Sequence, residues 1–187
     1  MWLFCENIFR TFKTQIISMK KILETERLYL REFELTDAAD MFRLNEDWDV
    51  IKYTGDPPFT SEEDALQFLQ NYDDYQRNKM GRWAVIIKES NQFIGWCGLK
   101  HYKDGMVDIG FRYFKTEWGK GYASEAAKAT LDYGFKSLNI PEIIGRAARE
   151  NHASLRVLGK LGMTFWKDDS CNGITDSVYF RISNTSV

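Results

Sequence analysis

A glycine-containing turn, EWGKGYASEA at residues 117–126, stands directly before an alanine-rich helical pattern. The first N–H groups of a helix lack acceptors within the helix, and the helix dipole puts partial positive charge at the same end. Gly119 and Gly121 allow close backbone approach or positive φ, and Lys120 adds a cation. The stretch therefore fits a phosphate-binding turn, with an ordinary strand-to-helix turn as the alternative.

Two well-known phosphate motifs do not fit this turn. A P-loop needs four residues between its glycines and a Lys-Ser or Lys-Thr pair after the second, which GKGYAS lacks. A dinucleotide fingerprint needs a third glycine and an acidic residue about twenty positions further on. Ser124 and Ile144 occupy those two places. The sequence thus excludes a P-loop nucleotide triphosphatase and argues against a dinucleotide-dependent oxidoreductase.

A second helix start follows in ENHASLRVLGKLGM at residues 150–163. Asn151 is a good N-cap and Gly162 a good C-terminal cap, so capping alone is a sufficient reason for both. Ser154 lies in the first turn, where a serine contributes little to helix stability. Helix stability alone therefore does not explain this serine.

Composition narrows the class of protein. The chain has 187 residues, 44% of them hydrophobic, and a formal net charge of −2. This predicts one folded domain with no bulk attraction to nucleic acid and no apolar run long enough to span a membrane. The three scattered cysteines are typical of reduced thiols, which predicts a cytoplasmic protein. The cysteines and the two histidines do not have the spacing of metal ligands, so no metal site is expected.

Hydrophobic periodicity predicts a mixed α+β domain with one sheet and helices on both faces. Alternation and β-branched or aromatic content predict strands in the segments 27–33, 82–88, 92–102, 106–114, 142–148, 163–168 and 177–182. Helical spacing covers residues 34–44 behind a Thr36 cap, 61–77 behind Ser61, 122–138 and 151–162. The three strands in the middle read as an antiparallel meander. Residues 1–18 differ in pattern, do not read as a signal peptide, and form an N-terminal extension whose role the sequence does not define.

The stretch DIGFRYFKTEWGKGYASEA, followed by ENHASLRVLGKLGM, resembles the GNAT superfamily of acetyl-CoA-dependent N-acetyltransferases, and within it the RimJ/RimL-like branch. The resemblance covers about residues 25 to 182, so residues 19–187 are expected to form a single GNAT domain. It implies a central sheet of about seven strands that splays between the two strands flanking the CoA site. The implied reaction is acetyl transfer from acetyl-CoA to a primary amine by direct attack in a ternary complex.

The resemblance also assigns a cofactor site. The family's pyrophosphate loop falls on residues 116–121, where Thr116 replaces the usual glutamine or arginine. Phe111 and Tyr113 are expected to offer main-chain groups to the pantetheine arm. The expected cofactor-binding residues are Phe111, Tyr113, Trp118, Gly119, Lys120, Gly121, Tyr122, Ala123, Ser124, Asn151 and Ser154.

Two residues are candidates for catalysis. In this branch the hydroxyl at the position of Ser154 lies near the CoA sulfur, where it can protonate the leaving thiolate or simply hydrogen-bond the pantetheine. Asp108 is the candidate general base, with a plain surface pair to Arg112 as the alternative. Glu32, Glu34 and Glu150 are further options, and a water chain can serve instead of a dedicated base.

The acceptor is expected to be an amine on a protein N-terminus, as in ribosomal proteins, or on a small molecule. The segment 45–64 predicts an aromatic and acidic wall from Trp48, Tyr53 and Phe59 with Glu46, Asp47 and Asp49. Packing in the core is the alternative for about half of these aromatics. Either Trp96 or Cys97 is expected to face the same pocket, since consecutive strand residues point to opposite faces. The protein is expected to be a monomer or homodimer. A CoA-binding module without turnover is the alternative function.

Overall fold

The computed structural model describes residues 20–102, 104–171 and 173–184, and within them eight strands form one open sheet in the order β1-β2-β3-β4-β5-β6-β8-β7. The strands are β1 Lys21–Glu24, β2 Leu28–Arg31, β3 Arg82–Ile87, β4 Phe93–His101, β5 Val107–Tyr113, β6 Glu142–Ala148, β7 Thr164–Cys171 and β8 Ile174–Ser183. The helices are α1 Ala38–Glu46, α2 Trp48–Ile51, α3 Glu62–Gln70, α4 Asp74–Asn78, α5 Tyr122–Lys136 and α6 His152–Lys160. All seven predicted strands form, and the eighth is β1, which pairs with β2. The predicted extension at residues 1–18 lies outside the described residues.

Helices cover both faces of the sheet, as the sequence predicts. Alternation along β2 sends Leu28 and Leu30 to the face covered by α5, where they share a core with Leu131. Tyr29 points the other way and packs in a second core with Met41 and other apolar side chains of α1 and α3. Both faces of the central strands are therefore buried, which is why their sequences read as near-continuous apolar runs.

The N-cap predicted from the sequence is correct at α3 and wrong at α1. Ser61 Oγ accepts a hydrogen bond of 3.2 Å from the backbone N of Asp64, as predicted. At α1 the Thr36 cap is wrong, because a 3-10 turn at Leu35–Asp37 precedes the helix and Asp37 takes the N-cap position. Arg31 holds the Asp37 carboxylate by two hydrogen bonds of 2.6 and 2.7 Å, which fixes this turn against β2.

The sheet splays between β5 and β6. These strands run parallel and are paired only at Asp108 with Ile144 and at Ile109 with Gly145. Beyond that point β5 continues to Tyr113 and β6 to Ala148, so the gap between them widens toward the carboxyl ends of both strands. Helix α5 connects the two strands and starts at this end of the gap, which brings the glycine turn to its mouth.

In the part of the chain that the structure describes, no helix is long and apolar enough to cross a membrane. The same residues contain no group of three or more His, Cys, Asp or Glu side chains placed to hold a metal ion.

Candidate active site

The glycine turn lines a cavity of about 440 Å³, here termed the loop cavity. Gly119 and Gly121 have φ values of +78° and +86°, so the predicted need for positive φ is confirmed at both positions. Gly121 is the N-cap of α5, whose first three residues Tyr122, Ala123 and Ser124 all face the cavity. The unpaired N–H groups of this first turn are therefore available at the cavity wall.

The start of α6 faces the same cavity. Asn151 Oδ1 accepts a hydrogen bond of 3.1 Å from the backbone N of Ser154, which confirms the predicted N-cap. Asn151 and Ser154 both line the loop cavity, as does His152. Gly162, at φ +78°, follows the end of the helix as predicted. Two helix N-termini thus meet at one cavity, and their dipoles favour an anion there.

A second cavity, of about 780 Å³, lies on the sheet surface beside the splay and is here termed the sheet cavity. Its floor includes Arg82 of β3, Trp96 of β4, Asp108 of β5 and Arg146 of β6. The residues that line both cavities are Tyr53, Thr54, Phe111, Arg112, Asn151 and Ser154. The two cavities are therefore adjacent, and Ser154 lies where they meet.

The end of β5 offers open backbone toward the gap. Phe111 pairs with Cys97 and Tyr113 with Gly95 on the β4 side, and neither pairs with β6. The Tyr113 ring points away into the core, where burial raises the pKa of its hydroxyl well above the usual value. Its carbonyl accepts a hydrogen bond of 3.0 Å from Trp118 Nε1. The side chain of residue 113 is therefore not available to a ligand, and a main-chain contact from this residue stays a prediction.

Charge around the loop cavity differs from the sequence expectation. Lys120 Nζ lies 3.0 Å from Glu117 Oε2 and does not line either cavity, although its neighbours on both sides line the loop cavity. Arg156 and Lys160 of α6 do line the loop cavity. Sequence reasoning missed both, although the spacing of four residues from His152 through Arg156 to Lys160 puts all three on one helix face.

Asp108 is buried in the floor of the sheet cavity between two guanidinium groups. Arg82 Nη2 lies 2.6 Å from one carboxylate oxygen and Arg146 Nε lies 3.3 Å from the other. The alternative surface pair with Arg112 is wrong, because Arg112 binds Asp56 at 2.6 Å and also donates to Asn45. Each oxygen of Asp108 is thus already engaged by an arginine.

Trp96 and Cys97 point to opposite faces of the sheet, as consecutive residues of a strand do. Trp96 faces the sheet cavity, with the Arg82 and Arg112 guanidinium groups 5.5 and 5.2 Å from its ring centre. Cys97 faces the α5 core, with Sγ 3.6 Å from Thr130 Oγ1. Burial raises the pKa of this thiol to about 11, so it stays protonated and unreactive at neutral pH.

The aromatic and acidic wall forms only in part. Tyr53 lines both cavities and Phe59 lines the sheet cavity, but Trp48 is 70% exposed and lines neither. Asp49 borders the loop cavity, where hydrogen bonds from Lys115 and Lys52 lower its pKa to about 2. Three arginines on the strands, Arg82, Arg112 and Arg146, also line the sheet cavity, and sequence periodicity did not bring them together.

The sequence profile of the acetyltransferase (GNAT) domain matches residues 27–164, which is most of the chain. An uncharacterized N-acetyltransferase of Bacillus licheniformis is 37% identical over 142 residues, which cover 74% of this chain and 80% of that protein. The chain belongs to the GNAT acetyltransferase family.

Solved GNAT structures share its fold. RimL, a ribosomal α-N-protein acetyltransferase in complex with coenzyme A, superposes with a TM-score of 0.77 at 17% identity, covering 90% of this chain and 100% of RimL. Spermidine N-acetyltransferase from Vibrio cholerae, in complex with CoA and spermine, superposes with a TM-score of 0.73 at 22% identity. The match covers 86% of this chain and 98% of that one. This GNAT N-acetyltransferase therefore has the family's mixed, open sheet, and these two folds alone do not choose its acceptor.

Proposed function

We propose that this chain transfers the acetyl group of acetyl-CoA to a primary amine, on a protein N-terminus or a small molecule, by direct attack in a ternary complex. The observation that carries the proposal is the junction of the two cavities at Ser154. A thioester that enters from one cavity can meet an amine that enters from the other at this point. Attack without a covalent enzyme intermediate needs this kind of two-sided access.

The loop cavity is the proposed site of the cofactor. Its two helix N-termini and the positive-φ glycines suit the pyrophosphate, which residues 118–124 would hold mainly through N–H groups. The pantetheine arm would lie along the open edge of β5 at Phe111 and Tyr113 and fill the gap that the splay leaves. Asn151 and Ser154 close the site from α6. Lys120 stays a predicted ligand, although its ammonium is paired with Glu117.

In the proposed reaction the amine nitrogen attacks the thioester carbonyl carbon. The C–N bond forms, the C–S bond breaks, and the product is an amide plus CoA thiol. Ser154 would give its hydroxyl proton to the departing thiolate and regain one from solvent. Backbone N–H groups at the open edge of β5 would stabilise the tetrahedral oxyanion.

The amine must lose a proton during the reaction. An α-amine is roughly 300-fold more deprotonated than a lysine at neutral pH, so an N-terminal or similarly acidic amine can lose its proton to water. Asp108 as general base stays a prediction, and it would first have to release Arg82 or Arg146. We therefore favour a water chain for proton removal, with Asp108 orienting the two arginines. We place the reaction in the cytoplasm, in line with the free thiols of Cys97 and Cys171.

The test is to incubate the purified protein with acetyl-CoA and a panel of amines, with detection of free thiol and mass spectrometry of the acceptor. Calorimetry with acetyl-CoA runs in parallel. Acetylated product supports the enzyme. Tight acetyl-CoA binding with no acetylation of any amine supports the alternative, a CoA-binding module. Absence of acetyl-CoA binding contradicts both functions.

A further inference from the structure

Two largely buried arginines share a single carboxylate in the floor of the sheet cavity. The side chains of Arg82 and Arg146 are 12% and 11% exposed, and Asp108 is the carboxylate that contacts both. Charges this far from water are normally neutralised by a partner. Among the residues that the structure describes, one carboxylate stands between these two guanidinium groups, which leaves one positive charge in excess at this place.

In the described part of the chain, no other carboxylate of the sheet cavity forms an ion pair with Arg82 or Arg146. Asp56 pairs with Arg112 at 2.6 Å, and Asp73 pairs with Arg77 at 2.7 Å. Asp74 accepts a hydrogen bond of 3.2 Å from Asn78. The excess positive charge at Arg82 and Arg146 is therefore open to an anionic group of a ligand.

The fold holds both guanidinium groups in place. Arg82 reaches across β4, donates to the carbonyls of Gly98 at 2.5 Å and Asp108 at 3.0 Å, and lies over Gly110. A Cβ at position 110 would come within 2.6 Å of Arg82 Cζ, so the glycine makes room for this arginine. Arg146 lies with its guanidinium 4.0 Å from the Tyr102 ring centre, and its contact with Asp108 uses only Nε. The site is thus arranged before any ligand arrives.

The cluster also lies at the right place for an acceptor. Asp108 is in the last paired stretch of β5, and Arg146 directly follows the last β6 residue that pairs with β5. The arginines therefore stand where the splay begins, while Ser154 borders the same cavity where it meets the loop cavity. A ligand that spans these points would put one end on the arginines and the other at the thioester.

We propose that the sheet cavity binds an amine acceptor that also carries a carboxylate, and that Arg146, together with Arg82, holds this carboxylate. This rests on the proposed acetyl transfer. Guanidinium groups match carboxylates by charge-assisted, often bidentate hydrogen bonds. An amino acid or a short peptide with an acidic group meets this requirement, whereas a polyamine would bring further positive charge to the two arginines at Asp108.

The experiment measures acceptor binding to the protein saturated with CoA, which cannot turn over. The probes are matched pairs that differ only in charge: several amino acids with their amides, and dipeptides with aspartate or asparagine at the second position. Spermidine is the polycationic comparison. The variants are Arg146→Gln and Arg146→Lys, with Arg149→Gln as control, because Arg149 is exposed, pairs with Asp168 and Asp176, and lines neither cavity.

We expect at least one carboxylate-bearing probe to bind at least 10-fold more tightly than its amide. This preference should be lost in Arg146→Gln and partly kept in Arg146→Lys. It should be unchanged in Arg149→Gln. The proposal is overturned if no carboxylate member outbinds its amide, if spermidine binds best, or if Arg146→Gln keeps the preference. Because Arg146→Gln also changes a buried ion pair, its fold and CoA affinity are checked first. A variant that is misfolded is replaced by Arg82→Lys, which must reduce the same preference.

Turnover with acetyl-CoA is recorded separately on the same probes. A carboxylate preference in binding without acetylation would contradict the proposed enzyme and keep the anion subsite. Acetylation of amides and carboxylates alike, with equal binding, would contradict the subsite and keep the enzyme.

Discussion

The two cavities are built in different ways. The predicted phosphate-binding part of the loop cavity is made of backbone: two positive-φ glycines and the first turns of α5 and α6. The charged floor of the sheet cavity is made of side chains: Arg82 of β3 and Arg146 of β6 converge on Asp108 of β5. A backbone site depends on local conformation, whereas a side-chain site depends on the register between strands that are far apart in sequence. The two should therefore fail in different ways when they are mutated.

The largest effect is expected in the sheet cavity, from Asp108→Asn. The change removes the carboxylate that neutralises Arg82 and Arg146 in a buried place, and breaking a buried ion pair from one side typically costs about 3–5 kcal/mol. We expect a loss of this size in the free energy of unfolding measured by urea denaturation. Asp176→Asn, which breaks an exposed pair with Arg149, should leave stability nearly unchanged.

The same Asp108→Asn protein distinguishes a base from a positioning group. If Asp108 only orients the arginines, the acidic limb of the kcat against pH profile should stay in place while kcat and acceptor KM change. Disappearance of that limb would instead identify Asp108 as the base. A stable Asp108→Asn protein with normal acceptor binding would contradict the positioning role.

The second effect is expected at the junction of the cavities, from Ser154→Ala. Loss of a general acid typically lowers kcat by about 100-fold or more, with acetyl-CoA binding little changed. Steady-state kinetics and calorimetry measure the two quantities. The exposed Ser137→Ala, at the far end of α5, is the control. A rise in the Kd for acetyl-CoA without a fall in kcat would mean that the hydroxyl only hydrogen-bonds the pantetheine.

The third effect concerns the backbone of the loop cavity. Gly121→Val puts a β-branched residue at φ +86°, and a strained conformation of this kind costs about 1–3 kcal/mol. We expect the loop to change conformation and the Kd for acetyl-CoA to rise about 30-fold, a change of about 2 kcal/mol. Gly173→Val introduces the same strain at φ +80° between β7 and β8, outside both cavities. Equal weakening of acetyl-CoA binding by both changes would argue against residue 121 as part of the site.

The sequence predicts the loop cavity better than the sheet cavity, and the reason is physical. Gly119, Gly121 and Asn151 have local requirements, a positive φ or a cap, which a short stretch of sequence reveals. The Arg82 and Asp108 contact depends on β3 and β5 both flanking β4, and no short-range pattern encodes that register. Charge pairing was therefore predicted wrongly for Asp108 and Arg112, while the strands that carry them were predicted correctly.

The 3-10 turn ahead of α1 was missed for a related reason. This turn is stabilised by Arg31 of β2, which binds Asp37. The prediction of Thr36 as the cap rested on its residue type alone. Arg156 and Lys160 could have been found, since both are cations on one face of a helix that was already predicted.

The smallest effect is expected from removing a helix N-cap, and two N-caps of similar chemistry, Asn151 and Ser61, allow a matched comparison. Asn151→Ala and Ser61→Ala each remove a side-chain acceptor from a helix N-terminus, and each should lower the free energy of unfolding by about 1 kcal/mol. Asn151 lines both cavities and Ser61 lines neither. Only Asn151→Ala should therefore also weaken acetyl-CoA binding, because the start of α6 is both a structural end and part of the cofactor site. Equal acetyl-CoA affinity in the two variants would mean that Asn151 only caps the helix and that Ser154 is the residue of this segment that contacts acetyl-CoA.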